Sequence, residues 1–331
     1  MYESFYGLRE RPFDLSPDPR FLFLSKQHTE ALTHLQYGLT GRPGVTVLIG
    51  EAGTGKTTLI RKALEPSPDH PRSRIVQLSN PTLTRVEFYE YLAREFGFSS
   101  EAGASKPRFL AELEAALLAR SAESVIALVV DEAQSLPHEL LEEIRLLTNL
   151  QTPAGDALTV ALVGQPELAA RLNEGRLRQL KQRVALRCEL APLDQRDTLV
   201  YVAKRIAVAG GAADQIFTRA AIEYVHRQSR GIPRVISVIC DNALISGLAA
   251  NTKPVGTDLV EEVCRDFQIG ESTKAPPKPT PAVVRSRPAI FTSHQVEATP
   301  EPHSPIGHSV DAEESKSLFS GFSKKKRFSI F

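Results

Sequence analysis

The sequence predicts an α/β domain built on a parallel sheet, then a smaller all-helical domain and a disordered tail. Strand-like runs alternate with helical patterns as far as Leu190, which is typical of a parallel sheet covered on both faces. After Leu190 only helical periodicity remains. The last 61 residues hold eight of the 23 prolines, and such a composition buries too little apolar surface to fold. The expected domains are 1–190, 191–270 and 271–331.

Each element is predicted from its apolar pattern and its flanking residues. The strands are short runs rich in valine, isoleucine and leucine. Asp194, followed by Asp197, indicates a helix N-cap with an acidic first turn. The predicted strands are Val45–Ile49, Ile75–Leu78, Val125–Val130, Leu158–Val163 and Val184–Leu190. The predicted helices are Lys56–Leu64, Thr84–Phe96, Pro107–Ser121, Glu139–Leu150, Asp194–Ala209, Thr218–Gln228, Pro233–Ala249 and Asp258–Phe267.

Composition restricts the class of protein. The 331 residues are 42% hydrophobic and 24% charged, with a net charge of +1, so no chain-wide field attracts nucleic acid or membrane. Cys188, Cys240 and Cys264 lack metal-ligand spacing and fit a reducing compartment. The N-terminus does not resemble a secretory signal, and no apolar run approaches the ~18 residues of a membrane helix. We expect a cytoplasmic protein.

A glycine-rich stretch after the first predicted strand has the pattern of a phosphate-binding loop. GEAGTGKT at 50–57 fits G-x-x-x-x-G-K-[ST], with a strand before it and a helix after it. Backbone amides of such a loop face phosphate oxygens, its lysine reaches the β- and γ-phosphates, and its threonine hydroxyl holds Mg²⁺. A flexible turn with an incidental lysine is the alternative, which this context disfavours. The predicted ATP-binding residues are Gly50, Glu51, Ala52, Gly53, Thr54, Gly55, Lys56, Thr57 and Thr58.

Two acidic residues follow the apolar run VIALVV. Asp131 and Glu132 come at the carboxyl end of a predicted strand, where ligands bind in open α/β sheets. Asp131 is a candidate Mg²⁺ ligand together with Thr57, and Glu132 a candidate for polarising the attacking water. An acidic N-cap for the next helix is the alternative for an isolated Asp-Glu pair. Its combination with the phosphate loop favours the catalytic interpretation.

Over residues 1 to about 270 the chain resembles the ExeA/GspA-type AAA+ ATPases. The resemblance rests on an ordered set of motifs and implies a central P-loop strand, a helical lid, ATP hydrolysis and a homo-oligomer. The motifs are YGLRERPFDLSPDPRFLFLSKQHTEALTHLQYGL, GEAGTGKTT, VVDEAQ, LVGQPEL, LKQRVALRCELAPL and GIPRVISVICDNAL.

The resemblance also implies roles for three further residues. Gln165 matches sensor 1, between the phosphate and the water, although a simple turn before Pro166 is the alternative. Arg234 matches sensor 2, a lid arginine whose guanidinium suits phosphate oxygens. Arg183 matches an arginine finger that reaches a neighbouring subunit's nucleotide. A solvated basic surface is the alternative for that region, whose other arginines are Arg176, Arg178 and Arg187, with Arg178 the next candidate for the finger.

The N-terminal stretch RPFDLSPDPRFLFL is expected on the adenine side of the nucleotide. Pro12, Phe13 and Tyr37 offer flat apolar surface for a base. Ordinary core packing of an N-terminal segment is an equal alternative.

Two functions from different classes fit these motifs. One is an ATPase that drives or switches a cell-envelope machine for secretion, pilus assembly or exopolysaccharide export. The other is a DNA-binding ATPase of a transposition system, for which a basic domain is expected. Residues 1–270 carry 31 basic and 33 acidic side chains, which favours the first. Longer members of the family continue into a membrane span and a peptidoglycan-binding region that this sequence does not contain, so a direct link to the cell wall is not expected.

The end of the predicted tail combines basic and aromatic residues. In SLFSGFSKKKRFSIF, Lys324–Arg327 lie among four phenylalanines. A solvated charge run is one interpretation. The other is peripheral attachment to the anionic inner membrane, because cations near such a surface and rings in its interface both favour binding.

Overall fold

The computed structural model describes residues 1–15, 18–39, 44–65, 74–79, 82–119, 124–150, 152 and 157–270. The predicted tail, 271–331, lies outside these residues. The described residues all belong to one compact unit, which spans Met1–Thr273.

Five parallel strands form a single sheet, as predicted. Their order is β2-β3-β4-β1-β5, so β1 pairs with β4 on one side and with β5 on the other. Because parallel strands end at the same edge of a sheet, the segments that follow β1, β3 and β4 meet there. The strands are β1 (Gly44–Gly50), β2 (Arg74–Leu78), β3 (Ile126–Val130), β4 (Thr159–Gly164) and β5 (Val184–Leu190).

The described residues contain every predicted helix, with ends shifted by at most three residues. They also contain six α-helices that the periodicity did not predict, of which α2 is the longest. The α-helices are α1 (Glu3–Tyr6), α2 (Lys26–Leu39), α3 (Lys56–Ala63), α4 (Arg85–Phe96), α5 (Ser100–Ala104), α6 (Lys106–Leu118), α7 (His138–Leu147), α8 (Pro166–Leu172), α9 (Arg178–Gln182), α10 (Gln195–Val208), α11 (Ala213–Ile216), α12 (Arg219–Ser229), α13 (Pro233–Ala249) and α14 (Thr257–Asp266). Three 3₁₀ turns lie at Pro19–Phe21, Ala133–Ser135 and Gly175–Leu177.

Helices cover both faces of the sheet. Successive strand residues point to opposite faces, so Val47 and Ile49 join one core while Leu48 joins the other. The first core includes buried side chains of α4, α6 and α7, and the second includes those of α2 and α3. The inner strands β1, β3 and β4 are therefore buried on both sides, whereas the edge strands β2 and β5 are partly exposed.

A third core joins the C-terminal helices to the N-terminal segment. Tyr2, Tyr6 and Phe13 belong to the same apolar cluster as the buried side chains of α10 to α14. Arg205 on α10 donates to the carbonyl oxygens of Pro12 and Asp14. The N-terminal segment is therefore packed against the helical part.

The predicted start of α10 is confirmed. Asp194 accepts a hydrogen bond from the Asp197 N–H at 2.6 Å, which satisfies one of the backbone donors left free in the first turn.

Candidate functional site

A cleft of about 650 Å³ lies at the carboxyl edge of the sheet, a size typical of a small-molecule site. The phosphate loop and the start of α3 form one wall. The N-terminal segment and the helices α10 and α13 line the rest, with Phe21, Leu22, Tyr201 and Pro233 among their contributions. The cleft therefore combines a polar loop with an apolar surface that could hold a base.

The phosphate loop bends where its glycines allow it. Gly53 and Gly55 have φ values of 82° and 100°, in the left-handed region that favours glycine. Lys56 begins α3, is buried, and donates from Nζ to the carbonyl oxygens of Gly50 and Glu51 at 2.8 and 3.0 Å. Burial lowers the pKa of Lys56, while the carboxylates of Glu132, Asp131 and others oppose this shift. The predicted loop is thus present as a strand–loop–helix unit.

One hydrogen bond joins the two predicted Mg²⁺ ligands. The Thr57 hydroxyl donates to Oδ2 of Asp131 at 2.8 Å. Asp131 follows β3, is buried, and accepts from the Glu132 N–H through Oδ1 at 2.9 Å. A hydroxyl and a carboxylate are oxygen ligands of the kind Mg²⁺ prefers, and Mg²⁺ usually completes its shell with phosphate oxygens and water. Within the described residues no cluster of three His, Cys, Asp or Glu side chains could hold a metal.

Glu132 lies in the same cleft and is held by two amides. Its Oε2 accepts from Nε2 of Gln134 at 2.5 Å and from Nε2 of Gln165 at 3.2 Å. Burial alone would raise the pKa of Glu132, but the two amides and the charge of Lys56 outweigh it and lower the pKa below the usual 4.5. The carboxylate is therefore ionised at neutral pH and can accept a proton.

Gln134 and Arg171 are parts of this cluster that sequence reasoning missed. Gln134 accepts from the Gln165 N–H through Oε1 at 3.0 Å, and its backbone carbonyl accepts from Arg171. Arg171 donates to the Leu136 carbonyl as well. Gln134 is the last residue of the motif VVDEAQ, and this position beside Glu132 could have indicated its place in the cluster. Nothing near Arg171 in the sequence indicates its contacts.

Arg234 lies beside the phosphate loop. It is the second residue of α13 and lines the cleft, and its backbone N–H donates to the Gly53 carbonyl at 3.3 Å. A Cβ atom on Gly53 would lie 2.9 Å from the Cβ atom of Arg234. The predicted sensor 2 position and the phosphate loop are therefore in direct contact.

Arg183 lies away from this cleft. Its carbonyl accepts from the Val45 N–H at 2.9 Å, next to the first residue of β5. The phosphate loop begins at Gly50, five residues further along β1 than Val45, which is about 17 Å. Arg183 is exposed, and its guanidinium contacts Asn149. Arg183 is not among the described residues that line its own chain's cleft.

The N-terminal segment lines the cleft with residues other than those predicted. Phe13 is buried against Phe217 in the helical core, so the core-packing alternative applies to this residue. Tyr37 is 45% exposed. Leu15, Phe21, Leu22 and Phe23 line the cleft instead. The segment was predicted to lie on the adenine side of a nucleotide, and the structure shows these four apolar residues on the wall of the cleft.

The chain is similar in sequence to known proteins. Residues 39–172 match the family model described as AAA domain. The chain is 42% identical over 256 residues to General secretion pathway protein A of Aeromonas hydrophila, which covers 77% of this chain and 46% of that protein. This chain thus spans about half the length of that relative.

Two solved structures have a similar fold. The ORC2 protein of Aeropyrum pernix gives a TM-score of 0.58 at 18% identity, covering 78% of this chain and 71% of that one. Cdc6p of Pyrobaculum aerophilum gives 0.57 at 19% identity, covering 77% and 70%. Likeness at this identity shows the fold alone. The predicted AAA+ fold and family resemblance are confirmed: the chain contains a P-loop AAA domain and is a relative of General secretion pathway protein A.

Proposed function

We propose that this chain binds ATP with Mg²⁺ in the cleft and hydrolyses it. The observation that carries the proposal is the hydrogen bond between Thr57 and Asp131, because it brings the two oxygen ligands for Mg²⁺ together beside Glu132. When bound, Mg²⁺ would neutralise charge on the β- and γ-phosphate oxygens. Measurement of phosphate release from ATP tests the proposal, and we expect release only when Mg²⁺ is present.

The side chains around the cleft divide the work of hydrolysis. Lys56 contributes its charge to the phosphates, and Asp131 orients the Thr57 hydroxyl. Glu132 accepts a proton from the attacking water, and the Gln165 amide holds Glu132 and the water in position. Arg234 supplies a guanidinium from the helical part to the γ-phosphate. These roles agree with the contacts described above.

The proposed client is a cell-envelope machine. The relative's name assigns it to a general secretion pathway, and we extend that role to this chain. Pilus assembly and exopolysaccharide export are the other envelope machines included in the proposal. The proposed location is the cytoplasm, at the inner membrane's inner face. No helix within the described residues has the length and apolarity of a membrane span. The DNA-binding alternative stays a weaker proposal, because residues 1–270 carry a net charge of −2.

We further propose that Arg183 completes the active site of a neighbouring copy. The change Arg183→Ala is expected to abolish turnover and to leave ATP affinity nearly unchanged, because the residue lies about 17 Å from its own loop. Wild-type activity per chain should rise with protein concentration. Arg178→Ala is the comparison, since Arg178 is the other candidate finger.

A mixing experiment tests the same point. Arg183→Ala protein has an intact site, and Lys56→Ala protein has an intact finger. Mixing the two should restore part of the activity at mixed interfaces. A rate per chain that does not depend on concentration, or a mixture that stays inactive, rejects both the finger and the oligomer.

The tail's end, residues 317–331, is proposed to attach the protein to anionic lipid. It lies outside the described residues, so this proposal rests on its basic and aromatic composition. With vesicles rich in acidic lipid, the full chain should cosediment at low salt and be released at high salt. A chain that lacks 317–331 should stay in solution with normal ATPase activity. Equal sedimentation of both proteins, or of neither, removes the membrane role.

A further inference from the structure

His28, in the first turn of α2, touches the phosphate loop and has no part in the hydrolytic roles above. Its side chain is 5% exposed and lines the cleft. Nε2 lies 3.0 Å from the carbonyl oxygen of Thr54, and Nδ1 lies 2.7 Å from Oγ of Ser25. Because a carbonyl oxygen only accepts, Nε2 carries a proton and donates it to Thr54.

Ser25 fixes this arrangement. Its hydroxyl is buried, donates to Nδ1 of the neutral imidazole, and accepts from the His28 backbone N–H at 3.4 Å. Ser25 therefore caps the N-terminus of α2 and selects the ring tautomer at the same time. Burial lowers the pKa of His28 against the opposing effects of the Thr54 carbonyl and Asp197, which favours the neutral ring.

The bond to Thr54 completes a pattern around the loop. The carbonyls of Gly50 and Glu51 accept from Lys56, and the Gly53 carbonyl accepts from the Arg234 N–H. The Thr54 carbonyl accepts from His28. In a planar trans peptide the carbonyl and the following N–H point in opposite directions. A donor that fixes the Thr54 carbonyl therefore also fixes the direction of the next amide, that of Gly55.

We infer that His28 is a positioning residue for phosphate binding, which holds the Thr54 carbonyl through Nε2–H so that the Gly55 amide is presented to a nucleotide's phosphates. This inference rests on the proposed function, since it requires nucleotide in the cleft. His28 acts through the loop and contacts neither Glu132 nor the water that Glu132 would activate. Its effect therefore belongs to binding and not to the rate of the chemical step.

Shape-matched variants test this role. His28→Met removes the donor, and His28→Gln keeps an N–H group near the position of Nε2. His34→Met is the matched control, because His34 lies on the same helix and contacts Cys188 rather than the loop. We expect His28→Met to weaken ADP binding about tenfold, the effect of one hydrogen bond to the loop. His28→Gln and His34→Met should stay within about threefold of the wild-type protein.

The kinetic readout separates positioning from general destabilisation. For His28→Met, KM for ATP should rise while kcat at saturation stays close to the wild-type value. Thermal unfolding shows which variants are folded, and only those are compared. Should His28→Met fail to fold, Ser25→Ala keeps the ring but frees its tautomer, and its ADP affinity should fall at least about threefold. Unchanged ADP affinity in the variant that folds overturns the inference. Equal weakening of ADP binding by His28→Met and His28→Gln overturns it as well. Absence of ADP binding by the wild-type protein overturns the proposed function together with this inference.

Discussion

Replacing Lys56 with alanine is expected to abolish nucleotide binding, with ATP affinity falling at least about 100-fold. The ammonium group is the loop's own positive charge for the phosphates. It also donates to the carbonyls of Gly50 and Glu51, so the variant loses two donors that shape the loop. Isothermal titration calorimetry, with ATP titrated into the purified protein, measures the loss of affinity.

Lys26→Ala is the matched control for this prediction. Lys26 is an exposed lysine at the first position of α2, so its loss removes the same charge from the chain without touching the loop. The control should bind ATP as the wild-type protein does. ATP binding by Lys56→Ala within tenfold of the control would mean that the cleft is not the nucleotide site.

Replacing Glu132 with glutamine is expected to block hydrolysis while ATP stays bound. The glutamine has the same size, but it cannot take a proton from water, and the loss of a general base costs about 10²- to 10⁴-fold in rate. Glu132 is ionised at neutral pH because Gln134, Gln165 and Lys56 outweigh its burial. Its contacts are to the two amides and not to the phosphate loop, so binding should be nearly unchanged.

Local sequence patterns were sufficient for the five strands, for eight of the fourteen α-helices in the described residues, and for bringing the centre of the candidate site together. The loop GEAGTGKT is contiguous, so its glycines, lysine and threonine can be assigned to one phosphate-binding loop from their positions alone. Asp131 and Glu132 follow a buried strand, and a parallel sheet brings that strand's end to the loop. The Thr57–Asp131 hydrogen bond then joins residues 74 positions apart, as the predicted topology requires.

Contacts between distant side chains could not be predicted in the same way. His28 meets a carbonyl 26 residues further along, and Gln134 meets an amide 31 residues further along. The helix that carries His28 was missed because its buried stripe includes a histidine and a glycine beside Ala31, Leu35 and Leu39, so its apolar period is faint. A serine followed three residues later by histidine resembles a capping box and was the available signal.

The packing of the N-terminal segment shows the same limit. Phe13 is as apolar as a base-binding residue must be, and only the fold decides that it faces Phe217 in the helical core. Four neighbouring residues line the cleft instead. Side-chain type predicted the kind of surface, while the direction of each side chain depends on contacts with the C-terminal helices.

Phosphate release at saturating ATP and Mg²⁺ is the most direct test that this cleft is a working hydrolytic site. It should be compared between the wild-type and Glu132→Gln proteins after calorimetry has established that both bind ATP equally. We predict release by the wild-type protein and release at least about 100-fold slower by the variant. Equal rates in the two proteins, or no release at any concentration by wild-type protein that binds ATP, would contradict the assignment.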